Sequence, residues 1–203
     1  ATSKAGQQHI GVNGPIAGRL LAQRVFNDGA ELAFGANRMR VAEPEFAFRF
    51  GQPLGPREDA YQIDEVLAAV DSLHPAIEVP DSRFDDFASA GEAQLIADNA
   101  CAHEFVLGPA TSTNWQDIDL SKHEVSVEAV GGDQYTGIGS NVLGDPRVAL
   151  LWLVNEVTGL GLTLDTGHIV TTGTCAEPLE VEPDDEIIMN FGDLGAVELT
   201  FTG

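Results

Sequence analysis

The sequence predicts an α+β fold in one domain, with more strand than helix. Three observations support this prediction. The chain has 203 residues, of which 43% are hydrophobic, and this is enough for one sizeable core. Short segments in which apolar and polar residues alternate recur in the second half, as is typical of half-buried strands. Only three segments carry helical signals.

The first half is expected to contain two helices and two strands. Residues 17–26 form the first predicted helix, which ends at the Asn-Asp-Gly turn that follows. A strand is predicted over residues 39–50, and Gly and Pro make the next nine residues a loop. Residues 61–73 have apolar side chains at helical spacing, and residues 74–80 form a short strand bounded by prolines.

The second half is expected to contain five strands and one helix. Asp145 is a good helix N-cap and Pro146 suits the first turn, so an apolar helix is predicted from there to Gly159–Gly161. Gly131 to Asp133 predict a turn between two of the strands. The predicted strands are residues 123–130, 134–140, 168–174, 185–192 and 196–201.

The strongly acidic composition excludes some classes of partner. The chain has 32 acidic and 10 basic residues and a formal net charge of −22. Such a surface repels phosphate backbones and anionic lipids, so neither nucleic acid nor a membrane is an expected partner. Eight of the ten basic residues lie at or before Arg83, so a site for an anion is expected in the first half.

The cysteines and the hydropathy pattern indicate a cytoplasmic protein. Cys101 and Cys175 lie far apart and form no C-x-x-C motif, which fits a reducing compartment. No apolar segment approaches the length of a membrane span. The chain lacks a signal-peptide pattern at its first residues.

Three glutamates stand inside apolar strands and are the main candidates for a metal site. Glu43 and Glu45 lie two apart, so they share one face of the predicted strand, opposite the apolar face. Neighbouring carboxylates repel each other, and a hard divalent cation would offset the repulsion. Glu78 belongs to the next strand and could supply a third ligand. The alternative is an edge strand with a solvated acidic face, blunted by Pro44, which is common.

Five segments together resemble one known family. In order they are RVAEPEFAF, PAIEVPDSRF, LIADNACA, VLGDPRVALLWLVNE and HIVTTGT. They resemble the 2-keto-4-pentenoate hydratase and 2-oxohepta-3-ene-1,7-dioate hydratase branch of the fumarylacetoacetate hydrolase superfamily, and the match covers nearly the whole chain. The resemblance implies a mixed β-roll, a barrel-like core with flanking helices. The sequence VPDSRF favours hydratases and their decarboxylase relatives over the hydrolases that break C–C bonds.

The resemblance also implies a set of site residues. Mg2+ or Mn2+ would bind to Glu43, Glu45 and Glu78. The family lysine would precede Ala1, so residues 1–203 are expected to be a single catalytic domain without its N-terminal segment. The catalytic residue is therefore unknown, and the chain offers two candidates, Asp81 and Arg83. The residues expected to bind substrate are Thr2, Ser3, Asn99, Thr172 and Thr174.

A cation is needed in such a site because negative charge accumulates there. Three carboxylates outnumber the two charges of one metal ion, and a 2-oxo acid and its dienolate each add another negative charge. The expected lysine would supply the balancing charge. Arg83 is a substitute within the chain, although it could equally be a solvated surface residue.

The function implied is a lyase of aromatic catabolism. The enzyme would add water to a small 2-hydroxy-2,4-dienoic acid and give a 4-hydroxy-2-oxo acid. The first alternative is a decarboxylase of the 4-oxalocrotonate type, acting on a 2-oxo-3-enedioate. The second is a non-catalytic protein that binds a metal or an oxo acid. Members of this family commonly assemble, so a homo-oligomer is expected.

Overall fold

The computed structural model describes residues 1–203 as two β-sheets with short α-helices around them. The helices are α1 (Lys4–His9), α2 (Ile63–Ala69), α3 (Glu92–Ala97) and α4 (Pro146–Gly159). The strands are β1 (Val25–Asn27), β2 (Ala30–Ala33), β3 (Val41–Phe50), β4 (Val70–Val79), β5 (Glu104–Leu107), β6 (Glu124–Ala129), β7 (Gln134–Ile138), β8 (Ile169–Thr174), β9 (Leu179–Glu180), β10 (Glu186–Asn190) and β11 (Ala196–Thr202).

The two sheets share one hydrophobic core. The first sheet has the order β1-β5-β4-β3-β8, with β9 attached to β3, and the second has the order β2-β11-β10-β6-β7. A cluster of 35 buried residues takes side chains from both sheets. Phe46 of β3 contacts Phe191, which follows β10, with ring centroids 5.2 Å apart. This mixed architecture confirms the predicted α+β class.

Elements with local signals were predicted correctly. The helix predicted at Asp145 begins there, and the Asp145 carboxylate accepts a hydrogen bond from the Arg147 amide. The strand predicted over residues 39–50 is β3, and its apolar face is buried at Phe46, Phe48 and Phe50. The five strands predicted in the second half correspond to β6, β7, β8, β10 and β11.

The helix predicted over residues 17–26 was wrong. The structure has a short 3-10 turn at Ala22–Arg24, followed by β1. Val25 pairs with Phe105 of β5 in a parallel ladder, and Leu20 packs against the same apolar cluster. Apolar residues that suggested a helical face therefore cover the first sheet, because pairing with β5 outweighs the local helix preference.

The helix predicted over residues 61–73 was too long. Helix α2 ends at Ala69, and Val70 already begins the ten-residue strand β4. Leu73 is fully buried and belongs to β4, which pairs with β3 from Val70 to Glu78. A short apolar run fits either period, so the spacing alone could not place the end of the helix. The strand predicted over residues 74–80 is the second part of β4.

No helix in this structure could cross a bilayer. The longest, α4, has 14 residues, whereas a membrane-spanning helix needs about 20.

Candidate metal centre

The pairing of β3 with β4 brings the three predicted glutamates together. Glu43 lies directly opposite Glu78 in this antiparallel ladder, so both side chains point to the same face. Glu45 follows on that face of β3, two residues along. One carboxylate oxygen from each lies within 4.8 Å of the others. The hairpin register therefore produces a compact group of three carboxylates.

Glu45 is the buried member of the group. Its side chain has no exposed surface, while Glu43 and Glu78 are partly exposed. Its Oε2 atom accepts hydrogen bonds from the Thr171 hydroxyl and, at 2.9 Å, from the Gly173 amide. Its Oε1 atom is buried without any hydrogen-bond partner. An unpartnered buried oxygen is unfavourable by about 1–3 kcal/mol, more when charged, which indicates that a ligand belongs there.

Strand β8 carries a bulge that aims its backbone at Glu45. Ala47 pairs with Thr171 and Glu45 pairs with Thr174, so β8 has one more residue than β3 in this interval. Gly173 lies in the bulge with φ of 90°, a left-handed conformation that other residues rarely adopt. A Cβ atom at Gly173 would lie 2.1 Å from Thr2 Oγ1, so any side chain there would have to displace Thr2.

The carboxylates perturb one another strongly. Burial raises the pKa of Glu43 from 4.5 to about 8, and the charge of Glu45 acts in the same direction. Burial also raises the pKa of Glu78 well above its usual value, with Glu45 and Glu43 adding to the effect. Protons therefore neutralise part of the group near pH 7. A divalent cation could replace those protons, because hard oxygen donors suit Mg2+ and Mn2+.

The residues around the group fit a metal. The three carboxylates offer oxygen donors, and one of these oxygens, Glu45 Oε1, is buried without a hydrogen-bond partner. Oxygen donors match the ligand preference of a hard divalent ion. The group of three glutamates contains no sulfur or imidazole, which would favour a softer metal.

The two candidates for catalysis make contacts elsewhere. The Asp81 carboxylate accepts a hydrogen bond of 2.8 Å from the Arg38 amide. The Arg83 guanidinium forms an ion pair with Asp98, and the Arg83 side chain is 76% exposed. Neither side chain forms a hydrogen bond or an ion pair with the three glutamates.

The predicted threonines of β8 use their hydroxyls for backbone contacts. Thr172 donates to the Phe46 carbonyl at 3.0 Å, and Thr174 donates to the Ala176 carbonyl at 2.8 Å. Thr171 is the member of this stretch whose hydroxyl reaches Glu45. The expected site residues did not include Thr171, for which a β-branched residue in a buried strand was an equal alternative, and they did not include Gly173. A glycine inside a β-branched strand was the available signal, because it often marks a bulge or a close backbone approach.

The remaining predicted residues hold the surrounding chain. Thr2 is buried, and its hydroxyl donates to the Thr172 carbonyl at 2.7 Å. The Ser3 hydroxyl caps α1 by accepting a hydrogen bond from Gly6. Asn99 accepts a 2.7 Å hydrogen bond from the Arg19 amide and donates to the Arg19 carbonyl, so it fastens one loop to another. Of these three, Thr2 lies beside the bulge of β8.

The proteins that match this chain in sequence include hydratases and a decarboxylase. The chain is 30% identical to a 2-keto-4-pentenoate hydratase of Paraburkholderia xenovorans over 200 residues, which are 98% of this chain and 73% of the relative. It is 30% identical to a 2-hydroxyhexa-2,4-dienoate hydratase of Comamonas testosteroni, covering 99% of this chain and 75% of the relative. A 4-oxalocrotonate decarboxylase of Pseudomonas putida is 31% identical, with 98% and 74% covered.

Solved structures share the fold. A 4-oxalocrotonate decarboxylase of Pseudomonas putida G7, complexed with magnesium and adipate, superposes with a TM-score of 0.82 at 28% identity, covering 98% of this chain and 74% of the other. A 5-carboxymethyl-2-hydroxymuconate delta-isomerase of Mycobacterium smegmatis gives a TM-score of 0.67 at 18% identity, covering 100% of this chain and 76% of the other. At this identity the similarity supports only the assignment of the fold. No protein-family model matches the chain. Sequence and fold agree, and the chain belongs to the 2-keto-4-pentenoate hydratase family, within the fumarylacetoacetate hydrolase superfamily.

Proposed function

We propose that this protein is a divalent-metal-dependent hydratase. It adds water to a 2-hydroxy-2,4-dienoate of the 2-keto-4-pentenoate type and gives a 4-hydroxy-2-oxo acid, in the degradation of meta-cleaved aromatic compounds. The observation that carries the proposal is the convergence of Glu43, Glu45 and Glu78 around a buried, unpartnered carboxylate oxygen. The hydratase relatives, matched over nearly the whole chain, support it.

Glu43, Glu45 and Glu78 are the residues that would hold Mg2+ or Mn2+. A bound divalent ion supplies a Lewis acid for the oxygens of a 2-oxo acid. The magnesium in the related decarboxylase supports this choice of metal. The three carboxylates also keep a second anionic group away from this face until a cation is present, because like charges repel at short range.

The chain's own residues position the reacting groups. Thr171 and Gly173 hold the Glu45 carboxylate in one orientation, and Thr2 keeps the bulge of β8 in place. The lysine predicted before Ala1 would lie near the site, because buried Thr2 packs against Gly173 of the β8 bulge. The reading frame upstream of Ala1 tests that prediction.

A decarboxylase on the same scaffold is the second candidate. The related decarboxylase, whose structure contains magnesium and the dicarboxylate adipate, superposes on this chain with a TM-score of 0.82. This similarity supports the decarboxylase alternative. A decarboxylase substrate carries a second carboxylate at its far end, so the two reactions differ in substrate charge as well as in product.

The test supplies the protein with 2-hydroxypenta-2,4-dienoate or with 2-oxohex-3-enedioate, with Mg2+ or with EDTA. Absorbance of the conjugated substrate and release of CO2 are followed together. We expect Mg2+-dependent loss of dienoate absorbance without CO2, and a fall of at least about 100-fold in rate for Glu78→Gln. Glu198→Gln, an exposed change on β11, is the matched control. Release of CO2 would favour the decarboxylase, and binding without turnover would favour a non-catalytic protein.

We also propose that residues 1–203 act as one catalytic domain, because a single core of 35 residues joins both sheets.

We further propose that the protein is a cytoplasmic homo-oligomer. Helix α4 presents Val148, 44% exposed, beside the partly exposed Leu151 and Trp152, and such an apolar strip suits a subunit contact. Light scattering coupled to size-exclusion chromatography measures the oligomeric state.

A further inference from the structure

The two oxygens of the Glu45 carboxylate have different surroundings. Oε2 accepts hydrogen bonds from the Thr171 hydroxyl and from the Gly173 amide. Each carboxylate oxygen has about two lone-pair positions, so these two donors occupy both on Oε2. Oε1 is buried and has no hydrogen-bond partner. One oxygen of Glu45 is therefore free to bind a ligand, and the other is already engaged.

The fold holds these two donors in place. The bulge in β8 and the left-handed φ of Gly173 turn its amide toward Glu45. Thr2 packs so closely on Gly173 that a Cβ atom would lie 2.1 Å from its hydroxyl oxygen, and that hydroxyl is bonded to the Thr172 carbonyl. Close packing of buried Thr2 against Gly173 therefore helps to hold the bulge, and with it the amide, in this conformation.

We propose that Thr171 and Gly173 determine the metal selectivity of the site by restricting Glu45 to a single metal–oxygen bond. The inference rests on the proposed function. Mg2+ binds about six oxygens at short distances and is usually held by one oxygen per carboxylate, whereas Ca2+ takes about six to eight oxygens and readily uses both oxygens of a carboxylate. A carboxylate with one engaged oxygen favours the smaller ion.

The test compares Mg2+ and Ca2+ binding to metal-free protein by isothermal titration calorimetry, so it does not depend on turnover. Thr171→Val removes the hydroxyl donor and keeps the shape of the side chain. We expect Mg2+ affinity to fall by about tenfold, as is usual when a residue that orients a ligand is lost. Ca2+ affinity falls less, or rises, since Oε2 becomes available. The ratio of the two affinities then shifts toward Ca2+.

Two matched variants separate the hydroxyl from general effects. Thr171→Ser keeps the donor, so it should keep wild-type affinities and the wild-type ratio. Thr200→Val makes the same chemical change on β11 of the second sheet and should alter neither affinity. Circular dichroism and thermal unfolding of the metal-free variants check that they fold. Thr171→Ala removes the same donor with less bulk, and it takes the place of Thr171→Val if that variant does not fold.

The outcomes distinguish this inference from the proposed function. A variant without the Thr171 hydroxyl that binds both ions as the wild type does, or loses both equally, overturns the selectivity proposal and leaves the metal centre intact. A wild-type protein that binds neither ion at millimolar concentration contradicts the metal centre itself, and this inference with it.

Discussion

At the scale of single residues, the protonation of Glu43 and Glu78 should make metal binding and stability depend on pH. They lie opposite each other on neighbouring strands and next to buried Glu45. Burial and the neighbouring charges raise both pKa values, and that of Glu43 reaches about 8. Protons and a metal ion therefore compete for the same oxygens, because the ligand form of a carboxylate is the ionised one.

The stability of the metal-free protein should fall as pH rises from about 5 to 8. The folded-state pKa of Glu43 is raised from 4.5 to about 8, so the folded state holds more protons than the unfolded state in this window. The stabilisation is fully present below the unfolded pKa and is lost as pH rises through the folded one. Thermal unfolding at several pH values measures this.

Saturating Mg2+ should remove that decline, since it stabilises the ionised form, and the apparent Mg2+ affinity should rise with pH up to about 8. The carboxylates with lowered pKa values, such as Asp98, titrate below this window. Burial lowers the pKa of His74 from 6.5, so His74 opposes the decline below about pH 6.5, but by at most one proton, which Glu43 and Glu78 together outweigh. A metal-free protein whose stability is flat or rises between pH 5 and 8 would contradict the prediction.

At the scale of elements, the site depends on the contact between β3 and β8. The bulge of β8 puts Gly173 and Thr171 beside Glu45, and the bulge can form because residue 173 has no side chain. The hydrogen-bonding partners of Glu45 thus come from a strand about 125 residues away along the chain, which explains why spacing near Glu45 gave no sign of them.

Gly173→Ala should destabilise the protein by about 1–3 kcal/mol and weaken Mg2+ binding. The new Cβ atom meets Thr2 Oγ1, and alanine is strained at φ of 90°. Chemical denaturation and metal titration measure the two effects. In the double variant with Thr2→Ala the clash is relieved and only the strain remains, so part of the stability should return.

Gly159→Ala is the control for that change. Gly159 ends helix α4, and a Cβ atom there would meet nothing within 4 Å. Alanine is a better helix former, so this variant should be as stable as the wild type or more stable by up to about 1 kcal/mol. Equal effects at positions 159 and 173 would refute the steric account.

At the scale of the whole molecule, the main electrostatic feature is the large negative net charge. A net charge of −22 on 203 residues produces self-repulsion across the surface, in addition to the local repulsion among the three glutamates. Salt screens the general repulsion, because the screening length shortens as ionic strength rises. A specific metal ion acts on the local repulsion only.

NaCl should therefore raise the melting temperature of wild type and of Glu45→Gln alike. MgCl2 at equal ionic strength should give wild type a further increase, since a bound ligand stabilises by about 2.7 kcal/mol at 100 times its Kd. Glu45→Gln should lack the further increase, and EDTA should abolish it in wild type. Equal responses of both proteins to Mg2+ would show that screening alone is at work.

Features that depend on near neighbours in the chain could be predicted from the sequence. Asp145 and Pro146 start α4 because a cap acts on the next few residues. Glu43 and Glu45 share a face because strand side chains alternate. Glu78 was a candidate because it stands inside an apolar strand, and the segments that resemble the hydratase family supported all three glutamates as ligands.

Features that depend on strand pairing became visible in the three-dimensional structure. The register of β3 and β4 puts Glu78 opposite Glu43, and the bulge of β8 supplies the donors to Glu45. Pairing with β5 also made β1 a strand where local pattern favoured a helix. The physical reason is that register is set by burying a shared core, which residues distant in sequence build together.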